Sequence, residues 1–231
     1  MVAEHIIKSY DEELQRLNRM IVEMGGLAES QLAAAIEAVS ERDSELATRV
    51  IEGDAQVDSL ERDVDNLAVR LLALRQPMAR DLREIVAALK ISSDLERICD
   101  YAANVAKRSI ALAQSPPIQP VHALPRMAHF ALQLVKDVID AYVERDAEKA
   151  IVVWARDEEL DEMYSSLFRE FLTYMMEDPR NIGASTHLLF MAKNIERIGD
   201  HATNIAEEVV YLFEGEDIRH DPAVKRGEAT A

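Results

Sequence analysis

The segment LERICDYAANVA (residues 95–106) occurs a second time as IERIGDHATNIA (residues 195–206), with seven of the twelve positions identical. Each copy has a Glu-x-x-x-Asp pair followed four residues later by Asn. On an α-helix this spacing places the three side chains on one face, one turn apart. The sequence therefore predicts the same acidic helical face twice, one hundred residues apart.

The repeat extends well beyond this segment. ERDSELATRVIEGDAQVDSLE (residues 41–61) aligns with ERDAEKAIVVWARDEELDEMY (residues 144–164) at an offset of 103, whereas the later segments align at an offset of 100. The three-residue difference falls where RQPMARD faces the shorter EDPRNIG. A length change inside a helix would rotate its apolar face away from the core, so a change confined to a turn indicates a duplicated helical unit.

Composition and periodicity predict the fold class. The chain has 231 residues, of which 48% are hydrophobic and 30% charged, with only seven Gly and seven Pro. Apolar residues recur every three or four positions, as is typical of amphipathic helices. We therefore expect an all-α fold of six long helices in two tandem, internally repeated three-helix bundles. The expected boundaries are a first repeat at 1–115, a Pro-rich connector at 116–125, a second repeat at 126–214 and a disordered tail at 215–231.

Local signals place several helix ends. The first helix is expected to continue through Gly25 and Gly26, and Asp43 is the expected N-cap of the second. The Glu-Arg-Asp sequence that contains this cap recurs in the second half. The dipeptide Gln76-Pro77 should end the second helix, and the third should span about residues 79–113.

Charge and cysteine usage narrow the possible partners and compartment. Forty-three acidic against twenty-six basic residues give a net charge of -17, which would repel a nucleic acid. The single Cys99 cannot form an intramolecular disulfide, and no signal peptide is evident, so we expect a cytoplasmic protein. No run of about 18 apolar residues exists, so we expect no direct membrane insertion.

The helix before each Glu-x-x-x-Asp pair carries a second acidic pair. These pairs are Asp54 with Asp58 and Asp157 with Asp161, again four residues apart. Helices joined by a short turn pack antiparallel. Because Asp58 and Glu96 both lie 19 residues from Pro77, the two acidic pairs should lie side by side on the adjacent helices. Four carboxylates would then converge in each half, namely Asp54, Asp58, Glu96 and Asp100 in the first and Asp157, Asp161, Glu196 and Asp200 in the second.

Converging carboxylates repel one another and favour a bound cation. Oxygen ligands favour hard ions such as Mg²⁺, Mn²⁺ or Ca²⁺ over the zinc of a structural site, and iron is a further option. The amides of Asn104 and Asn204 would support the ligands without binding the ion. The alternative is that the acidic pairs form a solvated face or pair with Arg97 and Arg197.

Two neighbouring residues have simpler interpretations. His201 replaces Tyr101 of the first half, and a single unmatched His is more often a packing or surface residue than a ligand. Cys99 corresponds to Gly199, so we interpret it as a small residue at a tight helix contact.

At ERICDYAANVA and ERIGDHATNIAEEV, and in LLALRQPMARDLREIVAALKISSDLERICD (residues 71–100), the chain resembles the PhoU family of bacterial phosphate-uptake regulators. The resemblance covers residues 5–214. It implies that the eight carboxylates bind metal ions, with iron or zinc clusters in some family members and magnesium or manganese in the working protein. Tyr164, at the position of Glu61, leaves the second set with one carboxylate fewer nearby.

The resemblance also implies a function. Such proteins restrain the high-affinity phosphate ABC transporter through its ATPase subunit, and they hold a sensor histidine kinase in a state that silences the phosphate-starvation response. We expect this chain to act as such an adaptor, at the inner membrane only through its partners and with no catalysis. The sequence leaves both a monomer and a homodimer open as its assembly.

Two other functions are compatible with acidic helices. One is a di-iron carboxylate enzyme, although such sites include a Glu-x-x-His pair, which this sequence lacks. The other is a structural scaffold whose folding and partner binding would be indifferent to chelators.

Overall fold

The computed structural model describes residues 2–116 and 123–218, and every regular element in these residues is helical. The first unit consists of α1 (Val2–Glu41), α2 (Ser44–Arg75) and α3 (Arg80–Ala113). The second consists of α4 (Ala123–Glu144), α5 (Ala147–Ala155), α6 (Asp157–Glu177) and α7 (Ile182–Phe213), with a 3₁₀ turn at Pro179–Asn181. The prediction of an all-α fold with two tandem three-helix bundles is confirmed.

The repeated Glu-Arg-Asp sequence ends one helix and starts the next in both units. Asp43 accepts hydrogen bonds from two backbone N–H groups in the first turn of α2, and Asp146 accepts one in α5. Arg42 and Arg145 have φ angles of 55° and 60°, and the N–H of each following Asp donates to a carbonyl five residues back. The motif thus combines a left-handed C-terminal cap with an Asp N-cap, and the predicted cap at Asp43 is confirmed.

The helix that corresponds to α2 is interrupted in the second unit, at Arg156, which the sequence did not predict. The Arg156 guanidinium lies 3.0 Å from the Asp137 carboxylate of α4 and 4.8 Å from the centre of the Phe130 ring. Three acidic residues follow in the first turn of α6, where the helix dipole favours negative charge. The corresponding residue of the first unit, Gly53, lies inside the continuous α2.

Helix α1 passes through Gly25 and Gly26 without interruption, as predicted. A Cβ atom at Gly25 would lie 3.0 Å from side-chain atoms of Ile139 on α4. Glycine at this position therefore allows α1 and α4 to pack closely.

The two units share one hydrophobic core, because their buried apolar residues form a single contact cluster. Helix α3 packs on α7, and α1 packs on α4. Lys90, near the start of α3, pairs with Glu208 near the end of α7. Arg108, near the end of α3, lies 4.2 Å from the ring centre of Phe190 near the start of α7. Helices α3 and α7 therefore run antiparallel across the middle of the molecule.

The ends of the repeats are partly described. Helix α4 begins at Ala123, before the expected start of the second repeat, and Pro125 lies in its first turn, where a missing N–H is tolerated. Residues 117–122 of the expected connector and 219–231 of the expected tail lie outside the described residues. Ile218 is buried. None of the described helices is long and apolar enough to cross a membrane.

Candidate metal centre

The predicted carboxylates of the second unit lie together between α6 and α7; we call them the second acidic cluster. One oxygen atom from each of Asp161, Glu196 and Asp200 lies within 4.8 Å of the others. The fourth member, Asp157, is close enough to raise the pKa of Asp200. Asp157 and Asp161 lie one turn apart on α6, and Glu196 and Asp200 lie one turn apart on α7. The sequence spacing therefore predicted a true spatial convergence.

The second acidic cluster is partly removed from water. Glu196 is only 9% exposed, and its Oε2 atom is buried without a hydrogen-bond partner among the described residues. Burial, together with the charges of Glu196 and Asp157, raises the pKa of Asp200 to about 6, although Arg197 and Lys193 act in the opposite direction. A buried carboxylate oxygen without a donor is costly, and a cation would satisfy it.

A close helix contact holds this cluster together. A Cβ atom at Gly199 would lie 2.2 Å from Cδ2 of Leu160 and 3.6 Å from Oδ1 of Asp157. Gly199 lies between Glu196 and Asp200 on α7, and Leu160 lies between Asp157 and Asp161 on α6. The absence of a side chain at residue 199 therefore lets the two acidic pairs approach each other.

The first unit has a matching but looser arrangement between α2 and α3. We call it the first acidic cluster, and it contains the predicted residues and Glu61, that is, Asp54, Asp58, Glu61, Glu96 and Asp100. Burial and the nearby acidic residues raise the pKa of Glu96 to about 7, with Arg97 opposing the shift. Burial likewise raises the pKa of Asp54 and of Glu61.

The two clusters differ in compactness. Within residues 2–116 and 123–218, a group of three potential metal ligands within 4.8 Å occurs only in the second acidic cluster. In the first, Oδ1 of Asp54 is nevertheless buried and lacks a hydrogen-bond partner in the described structure. Both clusters therefore contain a buried carboxylate oxygen that no described protein donor satisfies.

Arginine pairing neutralises part of each cluster. Arg97 lies 3.5 Å from Glu96 and 3.1 Å from Asp100, and Arg197 lies 3.7 Å from Asp200. Ion pairing with these arginines, which the sequence left open, is therefore present. It leaves Oε2 of Glu196 without a donor, so it does not account for the whole cluster.

The amides near the clusters have different surroundings. Asn204 donates a hydrogen bond of 3.2 Å to Oδ1 of Asp94 on α3, and His201 Nδ1 lies 2.7 Å from the same oxygen. His201 also stacks on Tyr101 at 5.7 Å. Its interpretation as a packing residue is confirmed. The Asn204 amide thus forms a hydrogen bond across the α3–α7 interface. Asn104 lies half-buried on α3.

Cys99 is fully buried beside the first acidic cluster. Burial and the surrounding carboxylates raise the pKa of its thiol well above the usual range, so the neutral thiol predominates. The interpretation of Cys99 as a small residue in a tight helix contact fits this position.

A cavity of about 380 Å³ adjoins the second acidic cluster. Asp157 and Asp161 line it together with Trp154, Thr203 and Glu207. The indole Nε1 of Trp154 donates to Glu207 over 3.1 Å. Trp154 is itself a buried core residue. The sequence gives no signal for this cavity, because the helix break at Arg156 has no Gly or Pro to mark it.

The donor chemistry fits a hard cation. The three-residue group in the second acidic cluster offers carboxylate oxygens only. Such ligands suit Mg²⁺, Mn²⁺ or iron, whereas structural zinc sites are normally built from Cys and His.

Comparison with known proteins places this architecture in a family. The PhoU domain matches residues 21–109 and 124–209, one match in each repeat. The chain belongs to the PhoU family. Both matches include the Glu-x-x-x-Asp segments and the acidic pairs that precede them, so the two acidic clusters lie inside the two PhoU domains.

Relatives match the chain almost from end to end. A Caulobacter vibrioides protein named phosphate-specific transport system accessory protein PhoU homolog is 52% identical over 94% of this chain and 95% of its own length. A Xylella fastidiosa protein of the same name is 52% identical over 93% and 90%. The crystal structure of PhoU from Pseudomonas aeruginosa has a TM-score of 0.88 at 39% identity, covering 90% of this chain and all of the other.

Proposed function

We propose that this chain is a negative regulator of phosphate uptake and of the phosphate-starvation response. It would act as an adaptor between the ATPase subunit of the high-affinity phosphate ABC transporter and a phosphate-sensing histidine kinase. The observation that supports this role is the match, over more than nine-tenths of the chain, to relatives named as accessory proteins of the phosphate-specific transport system. The proposed place of action is the cytoplasmic side of the inner membrane, reached through these partners.

We further propose that the two acidic clusters bind divalent cations. Asp161, Glu196 and Asp200 would hold an ion in the second unit, with Asp157 beside them, and Asp54, Asp58, Glu96 and Asp100 would do so in the first. A bound ion supplies positive charge that offsets carboxylate repulsion and joins adjacent helices. The helices before and after each turn would then present a fixed acidic surface to partner proteins.

The function that we propose involves no catalysis. Its relatives are named accessory proteins, and a structural relative from Streptococcus pneumoniae, at 30% identity and a TM-score of 0.83, is named a phosphate transport system regulatory protein. The three-carboxylate group contains no His, and His201 is bound to Asp94. No observation therefore favours the di-iron enzyme.

Complementation of a strain that lacks its own copy of the protein would test this function. The variant Glu96→Gln, Asp100→Asn, Glu196→Gln, Asp200→Asn should lose metal, measured by elemental analysis, and should release repression of phosphate uptake. The control removes four exposed carboxylates from α1, namely Asp11→Asn, Glu12→Gln, Glu23→Gln and Glu37→Gln. Unchanged repression by a metal-free, folded cluster variant would contradict the metal-dependent adaptor.

A further inference from the structure

Lys193 lies beside the second acidic cluster, at a position where the first unit has no charged residue. It lies one turn before Glu196 on α7, and its ammonium donates a hydrogen bond to Oε1 of Glu196. The same ammonium lies 5.1 Å from the ring centre of Tyr164 on α6, a cation–π distance. Lys193 is thus held between the two helices that form the cluster.

The residues of the first unit that correspond to Lys193 and Tyr164 carry different charges. Ser93 stands in the position of Lys193, and Glu61 stands in the position of Tyr164. The first unit therefore has a carboxylate where the second has an aromatic ring, and a hydroxyl where the second has an ammonium. Both differences add positive charge to, or remove negative charge from, the surroundings of Glu196. The pair Lys107 and Glu207 differs in the opposite sense, because Lys107 acts on Asp54 of the first acidic cluster.

The hydrogen bond of Lys193 engages only half of the Glu196 carboxylate. Oε1 is bound to the ammonium, whereas Oε2 is buried without a partner among the described residues. A divalent ion at Oε2 would lie a few ångströms from the ammonium and be repelled by it. The Lys193 side chain is 39% exposed, so it has a path to solvent when an ion arrives.

We propose that Lys193 is a tethered counter-ion of the second acidic cluster, which lowers the affinity of this cluster for divalent cations. This inference rests on the proposed metal binding. Tyr164 contributes by holding the ammonium near Glu196 and by replacing a carboxylate.

The opposite role would be a positioning one, in which Lys193 orients Glu196 for metal binding. The two roles predict opposite changes, because removing a positioning residue lowers affinity and removing a counter-ion raises it. Lys193→Ser introduces the residue of the first unit, and Lys193→Met keeps the length of the side chain without its charge.

The test is a titration with Mn²⁺, in which the free ion is measured by electron paramagnetic resonance. The background variant Glu96→Gln, Asp100→Asn isolates the second acidic cluster. In this background, Lys193→Ser and Lys193→Met should each raise Mn²⁺ affinity about tenfold, the size expected for removal of one adjacent like charge. Lys136→Ser, which removes an exposed lysine beside the α1–α4 groove, is the charge-matched control and should leave the affinity unchanged.

The reciprocal change provides a second arm. In the background Glu196→Gln, Asp200→Asn, the substitution Ser93→Lys should lower the Mn²⁺ affinity of the first acidic cluster about tenfold. If both clusters bind Mn²⁺ but the Lys193 variants bind it no more tightly, the counter-ion inference is wrong and the proposed metal site stands. If the otherwise unmodified chain binds no Mn²⁺, the proposed metal function fails and the inference fails with it.

Discussion

The first and second acidic clusters are built on the same repeated sequence motif but differ in structure. The second brings three carboxylates within 4.8 Å around Gly199, and it carries Lys193 as a partner for Glu196. The first has a fifth carboxylate, Glu61, and its Glu96 has a pKa of about 7, against about 6 for Asp200 of the second. The difference shows that repetition of the carboxylate spacing does not guarantee equal clusters, because residues between and beside the carboxylates set the helix distance and the charge.

The largest expected effect concerns the helix distance. In the second unit Leu160 meets Gly199, whereas the corresponding residues of the first unit are Val57 and Cys99, both fully buried. Gly199→Cys should lower the free energy of unfolding by about 2 to 3 kcal/mol, because its side chain overlaps Leu160. Adding Leu160→Val, which reproduces the pair of the first unit, should recover much of this loss, as measured by urea unfolding.

The double variant makes this prediction specific. A coupling between the two substitutions is expected because the residues are in contact. If the two substitutions lowered the free energy of unfolding additively, the Leu160–Gly199 contact would not set the distance between α6 and α7. Leu167→Val, a buried residue of α6 farther from the cluster, serves as the control that should not rescue Gly199→Cys.

The next effect concerns competition between protons and a metal ion for the same carboxylates. Glu96 has a pKa of about 7 and Asp200 one of about 6, and each must lose its proton to bind a cation. Between pH 8 and pH 6, Mn²⁺ affinity should fall about tenfold in the first acidic cluster and about twofold in the second, following these pKa values. Titrations of the two single-cluster backgrounds at both pH values would measure this, and equal pH dependence would contradict the assigned difference.

A smaller effect is expected at the interface between the units. Asp94 accepts hydrogen bonds from His201 and Asn204 of α7, whereas its counterpart in the second unit is Asn194. Asp94→Ala should lower stability by about 1 kcal/mol, since two donors lose their acceptor. Asn194→Ala is the matched control and should cost less. A larger loss for Asn194→Ala in thermal unfolding would reverse the comparison.

The smallest effect is on the metal-free protein. The pKa of Glu96 is raised in the folded state from 4.5 to about 7, so the folded protein binds more protons than the unfolded chain between these values. Stability should therefore fall as pH rises from about 4.5 to about 7. Glu96→Gln should remove this part of the decline and stabilise the metal-free protein at pH 8 by about 0.5 kcal/mol, a value reduced for solvent screening.

Chemical unfolding in chelator at pH 5 and pH 8 would check this prediction. Asp200→Asn is the comparison in the second unit, and the part of the decline that it removes should lie at lower pH, between about 3.8 and about 6. A metal-free protein that gains stability as pH rises through this range would contradict the sign.

The helix boundaries and the acidic helix faces could be predicted from local patterns. Asp43 and Asp146 marked helix starts, Gln76-Pro77 marked a helix end, and the spacing of Glu96 with Asp100 placed both on one face. These features depend on residues within one or two turns of each other. The break at Arg156 could not be read in this way, because its side chain is held by Asp137 and Phe130 on another helix.

The sequence by itself determined that the chain is helical, that the helical unit is repeated, and that each repeat contains the same acidic pairs. Helical periodicity and residue spacing are local properties, so they can be read without the tertiary structure. Only the tertiary structure decided which residues of different helices are in contact. Gly199 allows α6 and α7 to approach closely, Lys193 contacts both Glu196 and Tyr164, and Asn204 donates a hydrogen bond to Asp94. These contacts join residues from different helices. Their distances follow from how side chains of particular sizes fill the space between the helices, which a repeat of ligand spacing does not encode.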